Sequence, residues 1–196
     1  MKIRLGVIGE EENLNIFREV IEEYNDYEIA TFIDADGTHT LNIIDTHQQE
    51  FDSWLVFDQI NYLHIKNWGK AQKPVYCIPY RGASFYKTLC TAIYQGFKID
   101  ELSIDTIPYY DITRALDDMQ INYNVINHLS DEHGALSLNG YAAFHRELFK
   151  KGITKAAVTR SCYVKNLLES EGIPAFCIMP VRVTVRNILN VILTQF

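Results

Sequence analysis

The chain has 196 residues, of which 47% are hydrophobic and 22% charged, with a formal net charge of −7. A chain of this size buries about 70% of its unfolded surface, so it needs no staples, and no run approaches the roughly 18 apolar residues of a membrane span. The acidic balance argues against the clustered Lys and Arg that phosphate contacts need, so no direct nucleic-acid binding by this segment is expected.

The first residues, MKIRLGVIGEEE, run straight into a strand-like stretch and then into acid. A secretory signal would show a longer apolar core and a small-residue cleavage site, so the expected location is the cytoplasm, with no membrane partner. Cys77, Cys90, Cys162 and Cys177 form no CxxC pair. Buried thiols of a reducing compartment are expected ahead of a disulfide or a zinc site. Charge is uneven: residues 1–30 hold eight acidic and three basic side chains, residues 145–196 three acidic and eight basic. The basic excess of the tail is spread over helix faces and reads as solvated surface.

Short apolar runs alternate with amphipathic stretches along the whole chain. Residues 3–9 read as a buried strand, and Phe17, Val20, Ile21 and Tyr24 give residues 13–24 helical spacing. Strands are predicted at 27–33, 54–57 and 74–78, and helices at 38–49, 59–68 and 84–94. A second series opens with a strand at 102–107 and a helix at 111–119, with Asp111 as the expected N-cap. Residues 123–126 read as a strand and 127–138 as a polar loop. Helices follow at 139–150, ended by Gly152, and 161–170, ended by Gly172. Strands at 156–159 and 175–178 flank the second of these, and the last helix covers 183–193.

Strands alternating with helices imply parallel sheets covered by helices. Two series of similar length predict an α/β protein of two Rossmann-like lobes, residues 1–98 and 99–182. The crossover falls near 97–101, and a C-terminal helix at 183–196 packs back on the first lobe. One continuous doubly wound sheet is the alternative. The final helical pattern reaches Phe196 with no polar stop, which suggests the front piece of a longer protein.

Ligands of open α/β sheets bind beyond the carboxyl ends of the strands. Three loops there place an arginine and a hydroxyl just before a helix: Tyr80-Arg-Gly-Ala-Ser84, Val158-Thr-Arg-Ser161 and Pro180-Val-Arg-Val-Thr184. Backbone N–H groups at helix N-termini favour anions, and arginine grips carboxylate or phosphate with paired hydrogen bonds. The candidate ligand-binding residues are therefore Arg81, Gly82, Ser84, Thr159, Arg160, Ser161, Arg182 and Thr184. Gly9, Glu10 and Asp58 join them from the ends of two earlier strands. The bland reading makes the hydroxyls N-caps and the arginines surface charges.

Other motifs are weak. Gly6-x-x-Gly9 lacks the third glycine of a dinucleotide loop, and Glu10–Glu12 would repel a pyrophosphate, so no cofactor is expected. Asp34, Asp36 and Asp58 allow a receiver-like acidic cluster, but no lysine stands in the 79–84 loop and turn-forming aspartates are the simpler reading. Asp34-Ala-Asp-Gly37 opens like a calcium loop without the downstream glutamate. His128, Asp131 and His133 share one polar loop, where solvation is favoured over metal binding.

Taken together, IRLGVIGEEENLNIFREVIEEYNDYEIATFI, the Tyr80–Ser84 loop followed by SFYKTL, and SIDTI resemble the front sensor region of a group of multidomain bacterial transcriptional regulators. FHRELFKKGITKAAVTRS, LESEGIPAFCIMP and a helix opening with Thr184 are similar, more distantly, to the two-lobed N-terminal sensor domain of the propionate-catabolism activator. That family often has serine at the start of the last helix, where this chain has Val183-Thr184. The resemblance implies a ligand-sensing domain that binds a small effector in an interlobe cleft, with DNA-binding and other domains following residue 196. The loop arginines make an anionic metabolite the expected effector, and a homodimer is a second allowed partner. The rival readings are an enzyme, a transferase or hydrolase acting on an anionic metabolite in the same cleft, and a receiver-like interaction domain.

Overall fold

The computed structural model describes residues 2–80, 82–130 and 136–196. Eight strands and eight α-helices alternate through them: β1 (Ile3–Gly9), α1 (Glu11–Ile21), β2 (Tyr27–Ile33), α2 (Thr40–His47), β3 (Ser53–Val56), α3 (Gln59–Trp68), β4 (Val75–Cys77), α4 (Ala83–Tyr94), β5 (Leu102–Asp105), α5 (Tyr109–Asp118), β6 (Asn127–Leu129), α6 (Leu138–Lys150), β7 (Ala156–Thr159), α7 (Cys162–Ser170), β8 (Ala175–Cys177) and α8 (Arg182–Leu193). The strands form two separate four-stranded sheets, β2-β1-β3-β4 and β6-β5-β7-β8. Every pairing is parallel. The architecture is therefore the two-lobed Rossmann-like α/β fold expected, and not one continuous sheet.

The central strands show why these segments pair as they do. In β3 and β7 every residue is buried, as parallel strands covered on both faces require. Gly6 in β1 lies against the ring of the fully buried Trp54 in β3; a Cβ there would sit 2.4 Å from the ring.

The chain divides into two compact units, Met1–Pro79 with Pro180–Phe196, and Tyr80–Met179. The division falls at residue 79/80 rather than at 98/99. Helix α4 follows β4 in sequence, yet Phe85, Leu89 and Ala92 bury with Leu102, Ile104, Ile112 and Leu116 of the second unit. A hydrophobic stripe on a helix reports that one face is covered, not which sheet covers it.

Helix α8 belongs to the first unit. Val185, Leu189 and Ile192 pack with Leu14, Phe17, Val20 and Tyr27. The Tyr27 hydroxyl, buried so that its pKa rises, donates to the Leu189 carbonyl at 2.5 Å. Arg182 pairs with Glu19, and Arg186 meets Glu23 through two bonds of 2.7 and 2.6 Å. Some of the charge of the acid-rich start and the base-rich end of the chain is thus matched across a helix pair, α1 on α8.

Two local expectations need correction. Residues 123–126 are not a strand; β6 lies at Asn127–Leu129, inside the stretch read as a polar loop. Asp100 instead takes the backbone N–H groups of Asn124 and Val125, which holds its carboxyl below the usual range. As an edge strand with all three residues half-buried, β6 carries no apolar alternation to read. Asp111 is not an N-cap: α5 starts at Tyr109 after Pro108, and Asp111 falls in its first turn.

Candidate functional site

In the first unit, the carboxyl edge of the sheet is acidic. The register Ile8↔Val56 brings the end of β1 beside the end of β3. A Cβ on Gly9 would lie 3.0 Å from the Phe57 ring, and the Gly9 carbonyl accepts the Asp34 N–H at 3.1 Å. Glu10 is the N-cap residue of α1 without capping it through its side chain. Asp58 caps α3 by accepting the Asn61 N–H at 2.8 Å. Asp34, 4% exposed, accepts the Thr40 hydroxyl at 2.6 Å and the His39 N–H. Asp36 accepts both the hydroxyl and the N–H of Thr38, which lower its pKa. These aspartates serve turns and helix starts, in keeping with the simpler reading of the acidic cluster.

Arg182 does not join that edge. It pairs with Glu19, near the far end of α1, with both side chains more than half exposed. Glu19 stands nine residues beyond Glu10, about 13 Å along a helix. Thr184 lies in the first turn of α8, whose N-cap is Val181, so its hydroxyl is not the N-cap the sequence suggested.

The second unit has the opposite character. β7 ends at Thr159, which is buried and accepts the Ser161 N–H on its hydroxyl at 3.3 Å. Ser161 caps α7 by accepting the Val164 N–H at 3.3 Å. Between them, the Arg160 guanidinium lies over the Tyr80 ring, 5.1 Å from its centroid. That contact ties the end of β7 to the segment leading into α4. Gly82 is the N-cap residue of α4 at φ 69° and ψ −126°, a backbone that suits glycine, and no side chain caps this helix. Ser84 is therefore not the N-cap. Its Oγ is fully buried and has no hydrogen-bond partner among the described residues. Arg81 lies outside the described residues, as do Asp131 and His133 of the polar loop. Its third member, His128, hydrogen-bonds the Ile107 carbonyl at 2.6 Å through Nε2.

The structure thus brings Arg160, which stands between Thr159 and Ser161, onto Tyr80, two residues before Gly82 and four before Ser84. It offers one aromatic-stacked guanidinium, one uncapped helix start and a buried hydroxyl. Such groups suit a small anion, whereas Glu10, Asp34 and Asp58 would repel one at the other sheet.

One buried constellation escaped the sequence. His145 of α6 meets Ser103 through Nδ1 at 2.7 Å and Asp105 through Nε2 at 3.0 Å. All three are 0–1% exposed, and Ser103 also donates to the Ala156 carbonyl. The residue types are those of a hydrolase triad, but there Nε2 faces the serine and Nδ1 the aspartate, the reverse of the contacts here. Sealed from solvent in this way, the constellation fastens α6 to β5. Only the SIDTI strand, with two polar residues at alternate buried positions, hinted at it.

No protein-family model matches the chain, and no curated protein sequence does. Among solved structures, the chain is similar to an NtrC family transcriptional regulator from Clostridium acetobutylicum, with a TM-score of 0.71 at 16% identity over 99% of this chain and 96% of that one. A LacI family regulator from Weissella paramesenteroides with bound sucrose gives 0.43 at 12% identity over 87% and 75% of the two chains. A carbohydrate transporter from Acidothermus cellulolyticus in complex with myo-inositol gives 0.41 at 14% over 89% and 72%. The last two scores are too low to carry an argument. The first shows that the whole chain shares its two-lobed fold with a regulator's chain, as the sequence resemblance implied.

Proposed function

We propose that the chain is the ligand-sensing domain of a cytoplasmic transcriptional regulator, and that it takes a small anionic metabolite at the carboxyl ends of its strands in the second unit. The supporting observation is the similarity over 99% of this chain to the regulator from Clostridium acetobutylicum. Fold likeness alone does not specify a function. The chemistry comes from Arg160 over Tyr80, the uncapped start of α4 and the capped start of α7.

Arg160 would supply the charge, Ser161 and Ser84 the hydroxyls, and the α4 N-terminus its backbone donors. Closure on the anion would favour one conformation and so pass the signal to whatever follows. The test is thermal stabilisation across a panel of small carboxylates and phosphate esters, with wild type beside Arg160→Ala and Arg81→Ala. A compound that stabilises wild type, loses its effect in Arg160→Ala and is returned unchanged supports the reading. Turnover of that compound would favour the enzyme alternative, and a panel with no effect at all would overturn the anion reading.

A further inference from the structure

We infer that the second unit carries a site for a soft monovalent cation, Cu(I) in chemical class, built from Cys162, Cys177 and Met179. Cys162 opens α7, Cys177 ends β8, and Met179 follows two residues later, so three sulfurs from separate positions converge. The Cys162 and Cys177 Sγ atoms lie 2.6 Å apart, and the Met179 Sδ is 3.2 Å from that of Cys162. The pair is not a disulfide.

Neutral thiols gain little by meeting, since S–H is a weak donor and a thioether a weak acceptor. A soft cation rewards all three, because thiolate and thioether together select Cu(I). Two thiolates with one monovalent ion leave a single negative charge. That charge lies at the first turn of α7, a helix of nine residues whose N-terminal N–H groups favour it. Cys162 is buried while Cys177 is only partly so, which leaves an ion an approach through Cys177. With metal–sulfur bonds of about 2.3 Å, the ion would spread the sulfurs, which rotation of Cys177 and of the flexible Met179 side chain can supply. Sequence spacing concealed the trio, because Cys162 is fifteen residues from Cys177 and no CxxC marks it. The trio adjoins the anion region, since Cys162 follows Ser161 and the Cys177 thiol faces the Arg160 carbonyl at 3.8 Å, but no residue of the anion reading donates sulfur.

The experiment titrates the reduced 196-residue chain with Cu(I) under anaerobic conditions against a coloured Cu(I) chelator. Wild type is expected to withdraw one equivalent. Cys162→Ser and Cys177→Ser should each weaken binding at least about 100-fold, and Met179→Leu about 10-fold, given that even outer-shell partners are worth roughly 10–100-fold. The Cys77→Ser/Cys90→Ser double variant should bind like wild type. X-ray absorption of the wild-type complex, which needs no variant to fold, should show three sulfur neighbours. No withdrawal by wild type, equal withdrawal by Cys162→Ser, loss of binding in the Cys77→Ser/Cys90→Ser variant, or fewer than three sulfurs would overturn the assignment. Retained anion stabilisation in Cys177→Ser would confirm that the two sites fail separately.

Discussion

Single residues carry constraints that composition hides. Gly6 gives Trp54 its room, since a Cβ would lie 2.4 and 2.5 Å from two ring atoms. Gly6→Ala should therefore cost on the order of 1–3 kcal/mol, as overpacked cores do, read as a lower urea midpoint. His145 is held between Ser103 and Asp105 with no solvent contact. His145→Ala strands a buried carboxylate and should cost about 3–5 kcal/mol. Asp105→Asn keeps a hydrogen bond to Nε2 and should cost less; equal losses in the two variants would contradict this account. Asp52 gives a sign-definite pH effect. The Arg4 guanidinium and backbone N–H both donate to its carboxylate and hold its pKa below the ordinary value. A carboxylate depressed in the folded state adds stability above its unfolded pKa, about 3.9, and that stability is lost as pH falls through the lower folded value. Asp52→Asn should therefore lower stability at neutral pH, change little once the carboxyl is protonated, and so flatten the acid limb of the urea-midpoint profile. The His145 constellation was illegible because its partners stand 40 and 42 residues away, joined only by the packing of α6 on β5.

Helices and strands were legible where periodicity decides and illegible where partnership decides. β1 at Ile3–Gly9, α3 at Gln59–Trp68 and β7 at Ala156–Thr159 fall where the sequence put them, because buried parallel strands read as apolar runs and α3 ends at Gly69 in a left-handed cap; β2 at Tyr27–Ile33, an edge strand buried only at Tyr27, is apolar enough to read the same way. The edge strand β6 did not, since its half-buried polar residues imitate a loop. Helix α8 shows what packing adds. Leu189 is fully buried against α1 and β2, so Leu189→Ala should cost about 2–5 kcal/mol by transfer and cavity terms. The outer pair Arg182–Glu19 is more than half exposed and should contribute about 0–1 kcal/mol. A large loss in Arg182→Ala with a small one in Leu189→Ala would reverse that picture of α8.

Across the whole chain, two like halves share one connectivity rule. Both sheets have the same strand order, and Pro74, Cys77 and Ile78 at the end of one correspond to Pro174, Cys177 and Ile178 at the end of the other. The Pro74 carbonyl accepts from Trp54 as the Pro174 carbonyl accepts from Ala157. After each fourth strand the chain leaves its unit, so the second unit is continuous and the first is built from two segments. A fragment of residues 80–179 should accordingly unfold cooperatively in urea, while residues 1–79 alone, with Leu14, Phe17 and Val20 uncovered by α8, should not. The same asymmetry separates the candidate arginines: Arg160 stacks on Tyr80 in the continuous unit, and Arg182 is engaged by Glu19 in the other. The central claim is thus tested most directly by calorimetric titration of a stabilising anionic metabolite into wild type, Arg160→Ala and Arg182→Ala. Loss of about 2–5 kcal/mol of binding in Arg160→Ala, with Arg182→Ala equal to wild type, is the expected result; undiminished affinity in Arg160→Ala would contradict the account.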